Sequence, residues 1–290
     1  KNIDEILEYD DLKNHYLELN KYLQNIDLEK KGSLNSVFCK NKDKLKLRFH
    51  QNFMIEKTIN LICEQEKNIL WGWKCRAGKT FGVGGLLIKY KIRFDNCNAL
   101  IITPAPSETK SQFVNDMLNK YVEFNDFNII EVIDGVHIKD LNLKKNNIII
   151  TSKQLLDNYC NQNKINAIIE LSLDLIIFDE NHFGGCSELS KDIINSYSNS
   201  KTSKLFLTAT FQKPILEYNI SEKCQLYWNI EDEQFCKKRN IQKLTNKHGN
   251  IINSYINESN KEELLNCYDK MPNLELITTI MDQDRYNLIK

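Results

Sequence analysis

Between residues 69 and 207, short and continuously apolar runs alternate with longer segments in which apolar residues return every three or four positions. The runs Ile69–Trp73, Ala99–Ile102, Ile129–Ile133, Ile148–Ile150, Leu175–Phe178 and Leu205–Leu207 have the length of strands. The intervening periodicity predicts helices over about 79–91, 107–123, 152–169 and 187–199. This β-α-β alternation predicts an α/β domain with a mostly parallel sheet flanked by helices. Runs such as NNIIIT and LDLIIFDE lack polar alternation, as strands covered on both faces do.

The flanks read differently. Ile3, Ile6, Leu7, Leu12, Tyr16, Leu19 and Leu23 predict an amphipathic helix, followed by a polar, lysine-rich stretch to Lys46. A further helix is predicted over 52–66, with Phe53, Ile55, Ile59 and Ile62 on its buried side. After Phe211 the pattern weakens into a loop, a strand near 225–230, a polar stretch and a helix over 258–270. The expected division is an N-terminal helical appendage at 1–46, an α/β lobe at 47–257, and a linker with the start of a truncated second lobe at 258–290. The absence of an initiator Met and the strand-like run PNLELITTIMD near the end suggest a piece of a longer polypeptide.

Lys+Arg and Asp+Glu both number 39, so no global field draws the chain to a polyanion and any nucleic-acid contact must be local. With 41% hydrophobic and 27% charged residues the composition is that of a globular protein. No apolar run approaches the roughly 18 residues of a membrane span, and no secretion signal opens the chain. The nine cysteines are scattered without CxxC spacing, which argues against a zinc site or a disulfide framework and for a reducing, intracellular compartment. Alanine and arginine are scarce beside Lys, Asn and Ile, the mark of an AT-rich genome. Each arginine is therefore informative.

Cys75-Arg76-Ala77-Gly78-Lys79-Thr80 lies directly after an apolar strand and before a helical pattern. Such a turn presents backbone N–H groups and a helix dipole to an anion, with Lys79 on the phosphates and Thr80 on Mg²⁺. The strict G-x-x-x-x-G-K-[ST] pattern asks for glycine where Trp73 stands. A second apolar strand ends in Asp179-Glu180-Asn181-His182, where side chains diverge. Asp179 there suits the metal and Glu180 the attacking water. A third strand ends in Thr208-Ala209-Thr210, whose hydroxyls suit a bridge between His182 and backbone that moves with nucleotide state.

In order and spacing these segments resemble the first RecA-like lobe of superfamily 2 DExH-box helicases and translocases over about 45–290. The nearest branch is the motors of type I and type III restriction enzymes and related viral and phage helicases. Leu47-Arg48-Phe49-His50-Gln51 resembles the L-R-x-x-Q segment, whose glutamine reads adenine in this family, so Arg48 and Gln51 join Arg76, Ala77, Gly78, Lys79 and Thr80 as candidate ATP-binding residues. Arg76 replaces a glycine common in the family. Thr103 and Pro104, with Gln112 further on, resemble motif Ia. Thr151, Ser152 and Lys153, with Leu155, resemble motif Ib.

The resemblance implies ATP and Mg²⁺ as cofactors, Lys79, Asp179, Glu180 and His182 as catalytic residues, and Thr208 and Thr210 as a coupling relay. It also implies nucleic acid as partner, DNA before RNA, with Thr103, Pro104, Thr151, Ser152 and Lys153 on the phosphodiester backbone at strand ends opposite the nucleotide. A second RecA-like lobe in the same longer chain would supply an arginine finger, so the isolated chain is expected to hydrolyse ATP negligibly. Two rivals stay open: a nucleotide-dependent regulatory module and an ATPase directed at protein. The basic run Lys237, Lys238, Arg239, Lys243 and Lys247 reads either as extra phosphate contacts or as a solvated surface. Trp71, Trp73 and Trp228 could stack on bases, but the two in the first strand, Trp71 and Trp73, are expected in the core, and the glycines at 82, 84 and 85 are expected to permit close helix-to-sheet packing.

Overall fold

A computed structural model describes residues 14, 16–18, 42–104, 113–132, 143–160, 166–179, 188–210 and 212–273. The chain divides into two compact units, Lys1–Asp43 and Lys44–Lys290. In the first, residues 14 and 16–18 are helical. All that follows concerns the second unit.

Its centre is a seven-stranded sheet in which every pairing is parallel. The strands are β1 (Asn68–Trp73), β2 (Asn98–Thr103), β3 (Asn128–Glu131), β4 (Asn147–Ser152), β5 (Leu175–Phe178), β6 (Ser203–Leu207) and β7 (Gln225–Trp228). They lie in the order β3-β4-β2-β5-β6-β1-β7. The connecting helices are α1 (Phe49–Cys63) before β1, α2 (Lys79–Phe94), α3 (Lys153–Cys160), α4 (Asn166–Glu170), α5 (Glu188–Tyr197) and α6 (Gln212–Glu217). The RecA-like α/β expectation holds, with all six anticipated strands and β7 present. Successive residues of a strand face opposite sides, yet β2, β4 and β5 are buried throughout, because helices cover both faces.

Where the sheet begins, asparagines close the backbone. Asn147 Nδ2 donates to Asn98 Oδ1 at 2.8 Å, and Asn128 Nδ2 donates to Asn147 Oδ1 at 3.0 Å. Side chains thus knit the amino edge together, and the candidate residues Lys79, Thr80, Thr103, Thr151, Ser152, Asp179 and Thr208 sit at the carboxyl edge.

The core beneath α2 is aromatic. Trp71 and Trp73 are fully buried and stacked, centroids 4.3 Å apart, and Trp71 Nε1 donates to Thr58 Oγ1 of α1 at 2.8 Å. Burying an indole of this size contributes at most about 4–6 kcal/mol. Trp73 is a core residue, which explains why it stands where the phosphate-loop pattern has glycine. Close packing demands small residues on α2: a Cβ at Gly82 would lie 2.8 Å from the Trp73 ring, and one at Gly85 would lie 2.5 Å from Leu47. At Gly84 it would strike Met117.

Two helical expectations change form. Over 107–123, the residues from 113 onward make a π-helical turn (Val114–Leu118) and a 3₁₀ turn (Val122–Phe124) in place of a continuous helix. Over 152–169, two helices, α3 and α4, replace one.

The polar stretch after β7 is helical: α7 (Ile230–Lys237), α8 (Ile241–His248), α9 (Ile252–Tyr255), α10 (Lys261–Leu265) and a 3₁₀ turn (Asn266–Tyr268). Asparagines start the first two. Asn229 and Asp232 form a reciprocal capping box, and Asn240 Oδ1 accepts from Lys243 N at 3.1 Å. Asp232 is fully buried and accepts from His248 Nε2 at 3.0 Å and Lys247 Nζ at 2.8 Å.

The basic run is largely committed to this cluster. Arg239 pairs with Asp269 and Glu262, Lys237 donates to the Met271 carbonyl, Lys247 serves Asp232, and Lys243 lies over the Phe235 ring. Among the described residues no helix is long and apolar enough to cross a membrane.

Candidate functional site

Five residues, Lys74 to Gly78, join β1 to α2. Lys74 N donates to the Trp228 carbonyl at 2.8 Å, fastening the loop to the end of β7, and Ala77 N closes a turn onto the Lys74 carbonyl at 3.3 Å. Arg76 has φ +64° and Gly78 has φ +80°, so the backbone passes twice through the left-handed region. That conformation costs a non-glycine residue about 1–2 kcal/mol and lets loops build concave N–H surfaces for anions. At Gly78 glycine is required, since a Cβ would also lie 2.5 Å from Gln51 Nε2.

Helix α2 then starts at Lys79 with no side-chain cap, which leaves its first-turn N–H groups and the positive end of its dipole to the loop. Lys79 Nζ lies 3.4 Å from the Trp73 carbonyl, folded back across the loop, and Thr80 is half-buried on the first turn.

Helix α1 holds the loop from behind with two successive residues. Gln51 Nε2 donates to the Gly78 carbonyl at 2.9 Å, while its Oε1 accepts from Arg48 N at 2.8 Å. The glutamine expected to read adenine is therefore 3% exposed, with both ends of its amide engaged by the protein. Arg48 is exposed at the helix start.

His50, singled out for no role by the sequence, is fully buried. Its Nε2 lies 2.9 Å from the Ala77 carbonyl and its Nδ1 2.6 Å from the Tyr268 hydroxyl. Burial pulls its pKa down to about 3, so the ring is neutral. Its place inside the L-R-x-x-Q segment, one residue before Gln51, was the available signal.

Another contact reaches the loop from the C-terminal helices. Glu233 of α7, nearly buried, pairs with Lys74 at 3.0 Å.

Asp179 follows β5 and its N–H continues the ladder to the Ile102 carbonyl at 3.0 Å. Thr208 follows β6, which runs between β5 and β1, and Thr208 N donates to the Trp71 carbonyl at 3.2 Å. The Thr208 hydroxyl donates to the Thr210 carbonyl at 2.7 Å and accepts from Thr210 N at 2.9 Å, so it shapes its own turn. Two strand spacings set the ends of β1 and β5 roughly 10 Å apart. That is room for a phosphate chain and a metal ion between Lys79, Thr80 and Asp179. Glu180 and His182 lie outside the described residues.

The candidate nucleic-acid residues end β2 and β4. Thr103 and Ser152 are register partners and Thr151 is paired with Ile102, so the strands bring the three together. Pro104 and Lys153 follow directly, half-buried. They share the carboxyl edge with the phosphate loop, displaced along it, instead of lying opposite. In an all-parallel sheet every such strand end falls on one edge. Ser152 Oγ accepts from Leu155 N at 3.2 Å and caps α3. The Thr151 hydroxyl is buried with no hydrogen-bond partner among the described residues.

Comparison with known proteins places these segments in context. Residues 44–213 match the family described as type III restriction enzyme, res subunit. An ATP-dependent type ISP restriction-modification enzyme, LlaBIII, solved bound to DNA, is similar to 58% of the chain at 16% identity and a TM-score of 0.44. The Hef helicase domain of Pyrococcus furiosus is similar to 63% of it at 17% identity and a TM-score of 0.46. The matched parts are 13% and 38% of those two chains. No curated protein matches the sequence.

Proposed function

The chain belongs to the family of the type III restriction enzyme res subunit and carries its helicase-type ATPase lobe, and from that premise we propose that it binds ATP and Mg²⁺ at the carboxyl edge of β1, β6 and β5 to drive movement along nucleic acid, DNA before RNA. The observation that carries this reading is the uncapped, twice left-handed loop ending in Lys79 and Thr80, with Asp179 two strands away on the same edge. The donor set fits the cofactor. N–H groups of the first α2 turn and Lys79 would hold the phosphates, and Thr80 and Asp179 would hold Mg²⁺. Bound there, Mg²⁺ supplies charge neutralisation on the phosphates.

Glu180 takes a proton from the attacking water in this proposal, and His182 with Thr208 and Thr210 relays the change toward the nucleic-acid loops. Arg48, exposed at the start of α1, is the residue proposed beside the base of the nucleotide, and Gln51 would have to release its loop contacts to join it. Thr103, Pro104, Thr151, Ser152 and Lys153 hold a phosphodiester backbone, which confers affinity without sequence readout. The division into an appendage (1–46), a lobe (47–257) and a segment from 258 leading to a second lobe belongs to the same proposal, as does an intracellular setting.

One observation favours the rival of a regulatory nucleotide-binding module: Arg76 stands in the left-handed position where glycine is usual. The test is ATP hydrolysis by the full-length parent protein, wild type beside Lys79→Ala and Glu180→Gln, with single-stranded DNA, duplex DNA and RNA in turn. Stimulation by one polymer, abolished by both substitutions, supports the motor. Activity indifferent to every polymer refutes it.

A further inference from the structure

We propose that His50, braced by the hydroxyl of Tyr268, is a positioning residue that aims the Gly78 N–H into the phosphate cradle, so that the C-terminal helical cluster sets the affinity for polyphosphate. The inference rests on the nucleotide-binding reading above and couples His50 to Tyr268, a residue outside the 44–213 family match.

The argument starts from the planar trans peptide, in which C=O and N–H point in opposite directions. No cis peptide occurs among the described residues. The Ala77 carbonyl is held by His50 Nε2 at 2.9 Å and the Gly78 carbonyl by Gln51 Nε2 at 2.9 Å, both from α1 behind the loop. The N–H groups of Gly78 and Lys79 are therefore turned away from α1, toward the open side where Lys79 lies. Two neighbouring side chains of one helix thus orient two neighbouring donors.

The hydrogen bonds also fix the His50 tautomer. A carbonyl only accepts, so Nε2 carries the proton and Nδ1 must accept from the Tyr268 O–H at 2.6 Å. The same Tyr268 oxygen accepts from the His50 N–H at 3.3 Å. A neutral chain runs from Tyr268 through His50 to Ala77, kept uncharged by burial. The ring cannot swing away, because it is stacked on Trp228 at 4.8 Å and meets Trp73 edge-on at 5.6 Å. Tyr268 is itself fully buried, and the next residue, Asp269, is paired with Arg239. Removing the brace leaves the loop tethered but its Gly78 N–H free to turn.

The experiment titrates a fluorescent ADP with Mg²⁺ into the full 290-residue chain and displaces it with tripolyphosphate, at a temperature where every variant is folded. Tyr268→Phe keeps the ring and loses the hydroxyl. Its ADP and tripolyphosphate affinities are expected to fall together, by about three- to tenfold. His50→Phe is expected to fall further and His50→Gln, which keeps a donor, to recover part of the loss. In a ¹⁵N-histidine spectrum the wild type should show His50 neutral with its proton on Nε2.

A Tyr268→Phe affinity within about twofold of wild type would overturn the proposal. So would a loss for ADP without one for tripolyphosphate. If His50→Phe does not fold, Tyr268→Phe decides alone. Wild type and Lys79→Ala binding ADP equally would instead refute the nucleotide reading, and this inference with it. Intact Lys79-dependent binding with an indifferent Tyr268→Phe would refute this inference only.

Discussion

Gly82→Ala tests how tightly α2, and with it Lys79, is set against the sheet. The new Cβ would lie 2.8 Å from two carbons of the Trp73 ring and 3.0 Å from one of Trp71. Carbon pairs settle at about 3.5–4.0 Å, so roughly 0.7 Å of overlap must be relieved. The two indoles cannot give way, being fully buried and stacked on each other. The helix must shift, at about 1–3 kcal/mol for overpacking. Replacing glycine in a helix interior returns about 1 kcal/mol, which leaves a net destabilisation near 1 kcal/mol. For a unit of this size that lowers Tm by about 2–4 °C, read by circular dichroism. Trp73→Phe removes the ring that residue 82 would strike, so the double variant should be more stable than the sum of the two singles by at least about 0.5 kcal/mol. A Gly82→Ala protein that melts higher than wild type, or strictly additive variants, would refute the packing argument.

Three further outcomes follow from the loop and its supports. His50 has its folded pKa lowered to about 3 from 6.5, so between those values the unfolded chain binds a proton the native one refuses. Its contribution is whole above about pH 6.5 and is lost as pH falls, at about 1.4 kcal/mol per pH unit, and urea unfolding of His50→Gln should show a correspondingly flatter slope over pH 4–6. At Asp232, burial pushes the carboxyl up, but hydrogen bonds from His248, the Asn229 N–H and Lys247 outweigh it and hold the pKa below the ordinary value. That stability is present above about pH 4 and lost as pH falls through the lower folded value, so Asp232→Asn should be less stable at neutral pH and lose less in acid. Lys74→Met strands the nearly buried Glu233 carboxylate and should cost about 3 kcal/mol in urea denaturation, clearly more than Glu233→Gln; equal losses would show that the pair's charge is immaterial.

The strands were readable because the middles of β1, β2 and β4 and all of β5 are continuously apolar, as strands of a doubly covered sheet are. Their polar ends were not: Asn98, Asn147, Thr103 and Ser152 join the strands through pairing with neighbours, which periodicity does not encode. Of the helices after β7, α10 falls within the helix expected over 258–270, while α7, α8 and α9 escaped notice for a different reason. Each is four to eight residues long and buries few apolar side chains, such as Leu244 in α8 or Ile252 in α9, too few for a helical period to register. The capping asparagines 229 and 240 were the signal available.

At the candidate site, the phosphate loop was legible because its chemistry is local, six consecutive residues between a strand and a helix. The support behind it was not. His50 and Tyr268 meet across 218 residues of sequence, and only the folded sheet, with β7 beside β1, brings the C-terminal helices to the loop.

The most direct test of the central claim is equilibrium binding of ATP to this chain, with and without Mg²⁺, for wild type and Lys79→Ala. Saturable, Mg²⁺-dependent binding that weakens at least about tenfold on removal of the Lys79 amine is the predicted result. No binding by the wild type, or the same affinity in both proteins, would contradict the assignment of the β1–α2 loop as a nucleotide site.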